Sequence, residues 1–294
     1  MSLTQPSTPP PPAIPLDYLL IGHVTQDVTP QGLVLGGTVS YSAITAAALG
    51  LKVGIITVAP DEVDLSALAA FPIHRIPSQE ATTYENIQTP NGRIQYLHKR
   101  APTITADMIP QNWRAASIIH FAPVAFEIDP ALLDIFPDSF RCITPQGCMR
   151  TVDREKRVHY CDWEEAESML PKTTAAVISV EDVQFDEKCI QRLLKYANIL
   201  VVTQGELGAR VYWKGNVRHF NTPQVNVVDP TGAGDIFAAV FFARLFATQD
   251  AWLAGAQAVQ LASISVTRRG VAGMPTVQEI QTAMMEINPG IRNA

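Results

Sequence analysis

Residues 229–235, with the sequence Asp-Pro-Thr-Gly-Ala-Gly-Asp, place three small residues between acidic ones, directly before the apolar run 236–247. The first backbone N–H groups of a helix have no partner within the helix, and the helix dipole adds positive potential there. Because Gly232, Ala233 and Gly234 carry almost no side chain, an anion can approach these N–H groups closely. The segment therefore predicts an anion hole at the start of a helix.

Asp235 would lie in the first turn of that helix, beside the anion hole. A carboxylate in this position can accept the proton of an attacking hydroxyl group. An anion hole with a base is what phosphoryl transfer needs, since the protein mainly positions the groups and stabilises charge. A structural reading also fits these residues, because Asp is a common N-cap and Gly-Ala-Gly can form a tight turn. The motif alone leaves both readings open.

The elements that must hold this motif alternate between strand and helix. Gly36-Gly37 interrupt the chain, and a helix is predicted from there to Gly50. Strands before and after this helix make a β-α-β unit, which predicts parallel pairing, and ligands of such sheets bind beyond the carboxyl ends of the strands. The short apolar runs that predict buried strands are 16–22, 52–59, 117–126, 175–180 and 198–205.

Two segments predict antiparallel hairpins instead. Residues 81–100 have a turn signal at Pro90-Asn91-Gly92, and residues 208–220 have one at Lys214-Gly215-Asn216. The first hairpin is expected to form a small β insertion outside the main sheet. The sequence therefore predicts one large α/β domain over residues 16–294, preceded by a disordered Pro-rich tail at 1–15.

The composition of the 294-residue chain fits a globule with a sizeable core, since 47% of the residues are hydrophobic and 17% are charged. The formal net charge of −6 argues against nucleic acid as the main partner, because binding to a phosphate backbone needs clustered Lys and Arg. No apolar run reaches the length of a membrane span, and no C-x-x-C pair occurs. We therefore expect a cytoplasmic protein with reduced thiols that binds neither nucleic acid nor membrane.

Several segments, in their order along the chain, resemble the PfkB family of carbohydrate kinases in the ribokinase-like superfamily. The resemblance spans residues 16 to about 285, and the order and spacing of the segments carry it more than any one of them. These segments are the 229–235 motif, GHVTQD at 22–27, the Gly-Gly segment at 36–50, residues 82–105, TQGELGARVYW at 203–213 and residues 262–280.

The resemblance implies a three-layer αβα fold with a mostly parallel, ribokinase-like sheet and a small β lid. The lid would come from about 81–101, with 28–35 as a further candidate segment. The implied activity is transfer of a phosphoryl group from ATP, assisted by Mg²⁺, to a hydroxyl of a small sugar, polyol or nucleoside. The family often pairs through its lid, so a monomer and a homodimer both stay open.

The same resemblance assigns roles to residues of the donor side. Asp235 takes the place of the general base, and Gly232, Ala233 and Gly234 take the place of the anion hole. The residues that match the ATP-binding segments are Thr203, Gly205, Gly208 and Thr231, together with Gly232 and Gly234.

On the acceptor side, the resemblance assigns substrate binding to Asp27, Gly36, Gly37 and Tyr41. Asp27 would end the first strand, and a carboxylate accepts hydroxyl protons well, which suits a polyol. The family usually has Asn where this chain has Tyr41, so ribose-like recognition is in doubt.

Two further departures concern the metal and the acceptor. The family often carries N-x-x-E near the metal and the phosphates, and the matching stretch here is 179–182, Ser-Val-Glu-Asp. Asp182 could act on Mg²⁺ through water, since hard oxygen ligands suit that ion. Thr144 stands where many members have an Asp.

The sequence also allows a comparison of the kinase function with two other functional classes. A ligand-binding protein with the kinase fold and little catalysis is suggested by the altered 179–182 stretch, although the retained Asp235 argues against it. An NAD-dependent enzyme fits poorly, because no G-x-G-x-x-G follows the first strand.

Overall fold

A computed structural model describes residues 15–89, 92–269 and 273–286, so the predicted tail lies outside the described residues except for Pro15. The strands, in chain order, are β1 (Tyr18–Ile21), β2 (Thr25–Thr29), β3 (Gly32–Gly36), β4 (Val53–Val58), β5 (Ile73–Ile76), β6 (Thr82–Thr89), β7 (Gly92–Lys99), β8 (Ile118–Phe121), β9 (Phe140–Ile143), β10 (Arg150–Val152), β11 (Val158–Tyr160), β12 (Ala175–Ser179), β13 (Ile199–Thr203), β14 (Ala209–Trp213) and β15 (Asn216–Phe220). The helices are α1 (Thr38–Ala48), α2 (Ala166–Met169), α3 (Glu187–Leu194), α4 (Ala233–Thr248), α5 (Ala251–Ser265) and α6 (Val277–Glu286).

The main sheet has nine strands in the order β15-β14-β13-β12-β9-β8-β1-β4-β5. Neighbouring strands are parallel from β5 to β13, and the hairpin β14–β15 adds two antiparallel strands at one edge. The central strands are buried along their whole length and mostly apolar, because both faces of the sheet are covered.

The two faces of the main sheet carry separate apolar layers. One layer joins the sheet to α1, α4, α5 and α6, and the other joins it to α2, α3 and several short 3₁₀ turns. Helices α4 and α5 are apolar nearly all round, since they pack on the sheet, on each other and, for α4, on α1. The predicted three-layer α/β fold with a mostly parallel sheet is therefore confirmed.

A second sheet of four strands, here called the small sheet, has the order β3-β2-β6-β7. Residues 28–35 lie in β2, β3 and the turn between them, and residues 82–99 form the hairpin β6–β7 around the predicted turn. Two of that turn's residues, Pro90 and Asn91, lie outside the described residues. A two-stranded antiparallel ribbon, β10–β11, lies beside β7 through a bridge between Tyr96 and Arg157.

The sequence predicted the apolar strands and both hairpins, but it missed β5, β9, β10 and β11. These four strands are short, and three of them have no fully buried residue, so their pattern carries little apolar signal. The prediction that Asp27 ends the first strand is wrong, because β1 ends at Ile21 and Asp27 lies within β2 of the small sheet. In the part of the chain that the structure describes, none of the helices has the length and hydropathy to cross a bilayer.

Candidate active site

A cleft of about 1040 Å³ lies between the starts of α1 and α4, the small sheet and the β10–β11 ribbon. Its lining brings together distant parts of the chain, because the loops after parallel strands converge at one end of the main sheet. Predicted site residues on its wall are Asp27, Gly37, Tyr41, Asp182, Thr231, Gly232, Gly234 and Asp235.

The start of α4 forms one end of this cleft. Gly232 is the N-cap residue, with a φ of 79° that favours glycine, and no side chain caps the helix. A side chain at Gly234 would meet no other atom within 4 Å, so this position faces open space. The N–H of Ala233 already donates to the carbonyl of Pro230 at 3.2 Å, which makes Ala233 the weakest of the three predicted anion-hole donors. Just before the helix, the N–H of Thr231 donates to Asp229 Oδ1 at 3.0 Å.

Asp235 lies in the first turn of α4 and is only partly exposed to the cleft. The pKa of its carboxyl group is raised to about 6, mainly by burial and also by repulsion from Asp182, while a hydrogen bond with Thr38 and the charge of Arg150 act in the opposite direction. A carboxylate with this pKa is mostly ionised at neutral pH and still basic enough to accept a proton efficiently.

Tyr41 lies between the two ends of the cleft. Its ring packs so closely on Gly232 that any side chain at that position would run into it. Burial, together with the negative charges of Asp235, Asp229 and Asp27, raises the pKa of the Tyr41 hydroxyl to about 12. The hydroxyl therefore keeps its proton at neutral pH and can donate it in a hydrogen bond.

Asp27 faces the cleft from the small sheet, and the glycine pair packs beneath it. A side chain at Gly36 would lie 2.6 Å from Asp27 Oδ2, and one at Gly37 would lie 2.9 Å from the carbonyl oxygen of His23. Thr25 Oγ1 donates to Asp27 Oδ1 at 3.3 Å. Gly37 lines the cleft, whereas Gly36 is not among the lining residues, so the pair mainly allows close packing around Asp27.

Asp182 is held in a capping box at the start of a 3₁₀ turn, Val180–Val183. Its Oδ2 accepts the N–H of Ser179 at 2.8 Å, and its Oδ1 accepts an N–H of Gln146 at 2.9 Å. The Ser179 hydroxyl completes the capping box by accepting the N–H of Glu181 at 3.2 Å. Among the described residues, no group of three or more His, Cys, Asp or Glu side chains could hold a metal ion.

The structure does not bring three of the predicted ATP-binding residues into this cleft. Thr203 ends β13 and donates to the carbonyl of Ile178 at 3.3 Å. Gly205 and Gly208 flank a short 3₁₀ turn, with φ of 57° and 91°, and a side chain at Gly208 would run into the carbonyl of Phe220. These residues lie one strand beyond β12, which leads into Asp182.

Sequence reasoning missed four polar residues that line the cleft or act within it: Thr38, Gln146, Arg150 and Glu181. Gln146 and Arg150 belong to the stretch 144–150, in which the family resemblance singles out only Thr144. Thr144 itself bonds to the buried His120 at 3.0 Å, and burial lowers the pKa of His120 to about 3, so that imidazole is neutral.

Comparisons with known proteins agree with the resemblance to carbohydrate kinases that the sequence predicted. The model of the pfkB family carbohydrate kinases matches residues 163–277. A cytidine kinase from Thermococcus kodakarensis is 27% identical over 265 residues, which cover 78% of this chain and 88% of that protein.

Among solved structures, a pyrophosphate-dependent kinase in the ribokinase family, complexed with a pyrophosphate analog and myo-inositol, has a TM-score of 0.76 at 21% identity and covers 90% of this chain and 99% of that one. Arabidopsis thaliana ribokinase complexed with ribose and ATP has a TM-score of 0.69 at 13% identity and covers 92% of this chain and 99% of that one. The predicted resemblance to the PfkB family is therefore confirmed, and the matches support a kinase whose acceptor is a hydroxyl group.

Proposed function

We propose that the protein transfers a phosphoryl group from ATP to a hydroxyl of a small sugar, polyol or nucleoside. The observation that carries this proposal is Asp235, a partly buried carboxylate with a pKa of about 6 in the first turn of α4. It shares one cleft with the open helix start at Gly234 and with Asp27 and Tyr41.

In the proposed reaction, Asp235 accepts the proton of the acceptor hydroxyl as its oxygen attacks the γ-phosphorus. The backbone N–H groups at the start of α4, with Gly234 as the open position, stabilise the charge that develops on the phosphoryl oxygens. Asp27 holds other hydroxyls of the acceptor by accepting their protons, and Tyr41 donates a hydrogen bond from the side wall.

Mg²⁺ in this cleft would be bound mainly by phosphate oxygens and water, since this ion usually takes only one or two carboxylates from a protein. Among the described residues, no group of three or more His, Cys, Asp or Glu side chains could hold the ion by itself. Asp182, which both Ser179 and Gln146 orient, would contact the ion through water, and the exposed Glu181 is a second candidate. When bound, the ion neutralises charge on the donor phosphates.

For the donor, we propose that Thr203, Gly205 and Gly208 border the outer part of the ATP site, next to Thr231 at the end of the cleft. Two large apolar side chains close to these residues in sequence are exposed, Leu207 at 68% and Val227 at 54%, and they offer a surface for an adenine ring. Pyrophosphate is a second candidate donor, because a similar solved structure is of a pyrophosphate-dependent kinase.

The acceptor class follows from the polar lining contributed by the small sheet. Asn86, Gln88 and Gln95 line the cleft opposite α1, and amide groups of this kind both donate to and accept from hydroxyls. The similar proteins include a cytidine kinase and structures with myo-inositol or ribose, which supports a polyhydroxylated acceptor. In this proposal the small sheet, with residues 28–35 and 81–101, acts as the lid of the cleft.

The outer face of the small sheet favours a homodimer over a monomer. Val28 and Leu33 pair across β2 and β3 and therefore share one face, and their exposed fractions are 37% and 58%. Ile87 adds a third exposed apolar side chain on β6. Light scattering over a range of concentrations tests this: a constant monomer mass would exclude pairing.

The test of the proposed function is an ADP-release assay over sugars, polyols, inositols and nucleosides, with phosphate release measured in parallel for pyrophosphate as donor. At least one acceptor should give turnover in the wild type, and that turnover should be about 10²–10⁴-fold slower in Asp235→Asn. If the chain binds an acceptor in calorimetry but transfers no phosphoryl group from either donor, it is a ligand-binding protein with the kinase fold.

A further inference from the structure

Arg150, at the start of β10, is a cation held firmly in the wall of the cleft. Its Nη1 donates to the carbonyl oxygen of Val124 at 3.2 Å, and its guanidinium carbon lies 5.7 Å from the centre of the Tyr84 ring. The Tyr84 hydroxyl donates to the same carbonyl at 2.6 Å, so one backbone oxygen anchors both side chains. The guanidinium is thus fixed in place before any ligand binds.

None of the ion pairs among the described residues includes Arg150, so no carboxylate is paired with this cation. His159, a basic residue on the same ribbon, is already paired with Asp153 at 2.6 Å. A half-buried guanidinium that has lost part of its hydration gains from an anionic ligand, because its remaining donors then find charge-assisted partners.

Arg150 and Asp235 line the same cleft without forming an ion pair. The charge of Arg150 nevertheless acts to lower the pKa of the Asp235 carboxyl group, so the two groups interact electrostatically across the cleft that both line. The acidic residues that line the cleft, Asp27, Glu181, Asp182 and Asp235, repel a phosphoryl group that approaches the acceptor, and a cation in the cleft wall offsets this repulsion.

We propose that Arg150 is a second catalytic residue, which binds the phosphoryl group while it passes between donor and acceptor; this inference rests on the proposed kinase function. The acceptor oxygen forms a bond to the γ-phosphorus, and the bond from that phosphorus to the β-γ bridging oxygen breaks. ADP leaves with the electron pair of the broken bond, and the hydroxyl proton goes to Asp235. The planar guanidinium donates two parallel hydrogen bonds to the phosphoryl oxygens during this step.

The experiment compares Arg150→Met and Arg150→Lys with Arg154→Met, a matched control at an exposed arginine in the turn between β10 and β11, which does not line the cleft. Arg150→Met should lower kcat about 10²–10³-fold with the KM for ATP changed less than about threefold, as expected when one transition-state donor is removed. Arg150→Lys should recover part of the rate, since it restores a charge without the planar fork. Arg154→Met should stay within about twofold of the wild type, and thermal midpoints show that each variant is folded.

A kcat of Arg150→Met within about threefold of the wild type would overturn the proposal, and so would an equal loss in Arg154→Met. A loss confined to the KM of the acceptor would also overturn it, because Arg150 would then bind only the acceptor. If the wild type transfers no phosphoryl group at all, the proposed function fails, and calorimetry with inorganic phosphate tests Arg150 separately. Weaker phosphate binding in Arg150→Met alone supports an anion site at Arg150, and unchanged binding removes it.

Discussion

Helices α1 and α4 begin in the same way, since each has a glycine N-cap with a positive φ, 88° at Gly37 and 79° at Gly232, and neither uses a side-chain cap. Their surroundings differ. The first residues of α1 are buried, with Thr38 6% and Val39 0% exposed, whereas Gly234 in the first turn of α4 is exposed to the cleft.

The contacts around the glycines explain this difference. A side chain at Gly37 would lie close to the backbone of His23 and Thr25, because β3 pairs with β2 and brings Gly36 opposite Thr25. A side chain at Gly234 would meet no atom within 4 Å. The same local conformation thus serves packing at α1 and leaves room for a ligand at α4. Unpaired helix N–H groups make an anion site only where a ligand can reach them.

Of the two helix starts, the open one at α4 should show the larger effect on activity. Gly234 has no positive φ, so Gly234→Val leaves the backbone unstrained and places its side chain where the phosphoryl group should lie. We expect kcat/KM for ATP to fall about 10²–10³-fold, as for the loss of an oxyanion-hole donor. Gly234→Ala, which adds one methyl group, should lose less. Equal activity of the Val variant and the wild type would mean that no ligand binds at this helix start.

A smaller effect is expected at the acceptor end. Asp27→Ala should raise the KM of the best acceptor about 10- to 100-fold, which is the usual worth of hydrogen bonds to a charged group. Calorimetry with ATP alone should give the wild-type dissociation constant. The acceptor site lies elsewhere if the variant weakens ATP binding and leaves the acceptor KM unchanged.

At the buried start of α1, the expected effect is on the stability of the protein. Gly37→Ala combines a positive φ with a contact of 2.9 Å to the carbonyl of His23, so we expect the free energy of unfolding to fall by about 1–3 kcal/mol. Urea unfolding measures this. Gly50→Ala is a matched control with a φ of 87° and open space around it, and it should cost less. A Gly37→Ala variant with normal stability but little activity would reverse the roles of the two helix starts.

The sequence was sufficient for features that depend on local chemistry. Gly232, Gly234 and Asp235 could be assigned to a helix start because small residues, an acid and an apolar run follow one another directly. Arg150 could not be found in this way, because its role depends on the β10–β11 ribbon, whose short strands carry almost no apolar signal.

For Asp27, the residue type indicated a role in binding, but the local sequence did not predict the strand that carries it. A carboxylate near a Gly-Gly pair suggested the acceptor site, yet the small sheet that carries Asp27 forms only when β2 pairs with the distant β6. Such long-range pairing leaves no trace in the local pattern.

The smallest expected effect tests the link between the two helix starts. Thr38, the first residue of α1, lowers the pKa of Asp235 through a hydrogen bond, so Thr38→Val, which keeps the shape, should raise that pKa. The acid limb of the kcat/KM profile should then move to higher pH by less than about one unit, while the plateau rate stays similar. A limb that moves to lower pH would show that Thr38 does not stabilise the ionised Asp235.

The central claim, that Asp235 is the general base at the open start of α4, is tested most directly by the pH dependence of kcat/KM in the wild type and in Asp235→Asn. The ionised carboxylate is the active form, so wild-type activity should be full well above pH 6 and fall about tenfold per unit below it, since the pKa of Asp235 is about 6. Asp235→Asn should be about 10²–10⁴-fold slower on the plateau, and its residual activity should lack this limb. A limb near pH 6 that persists in Asp235→Asn, or an Asn variant within about threefold of the wild type, would contradict the account.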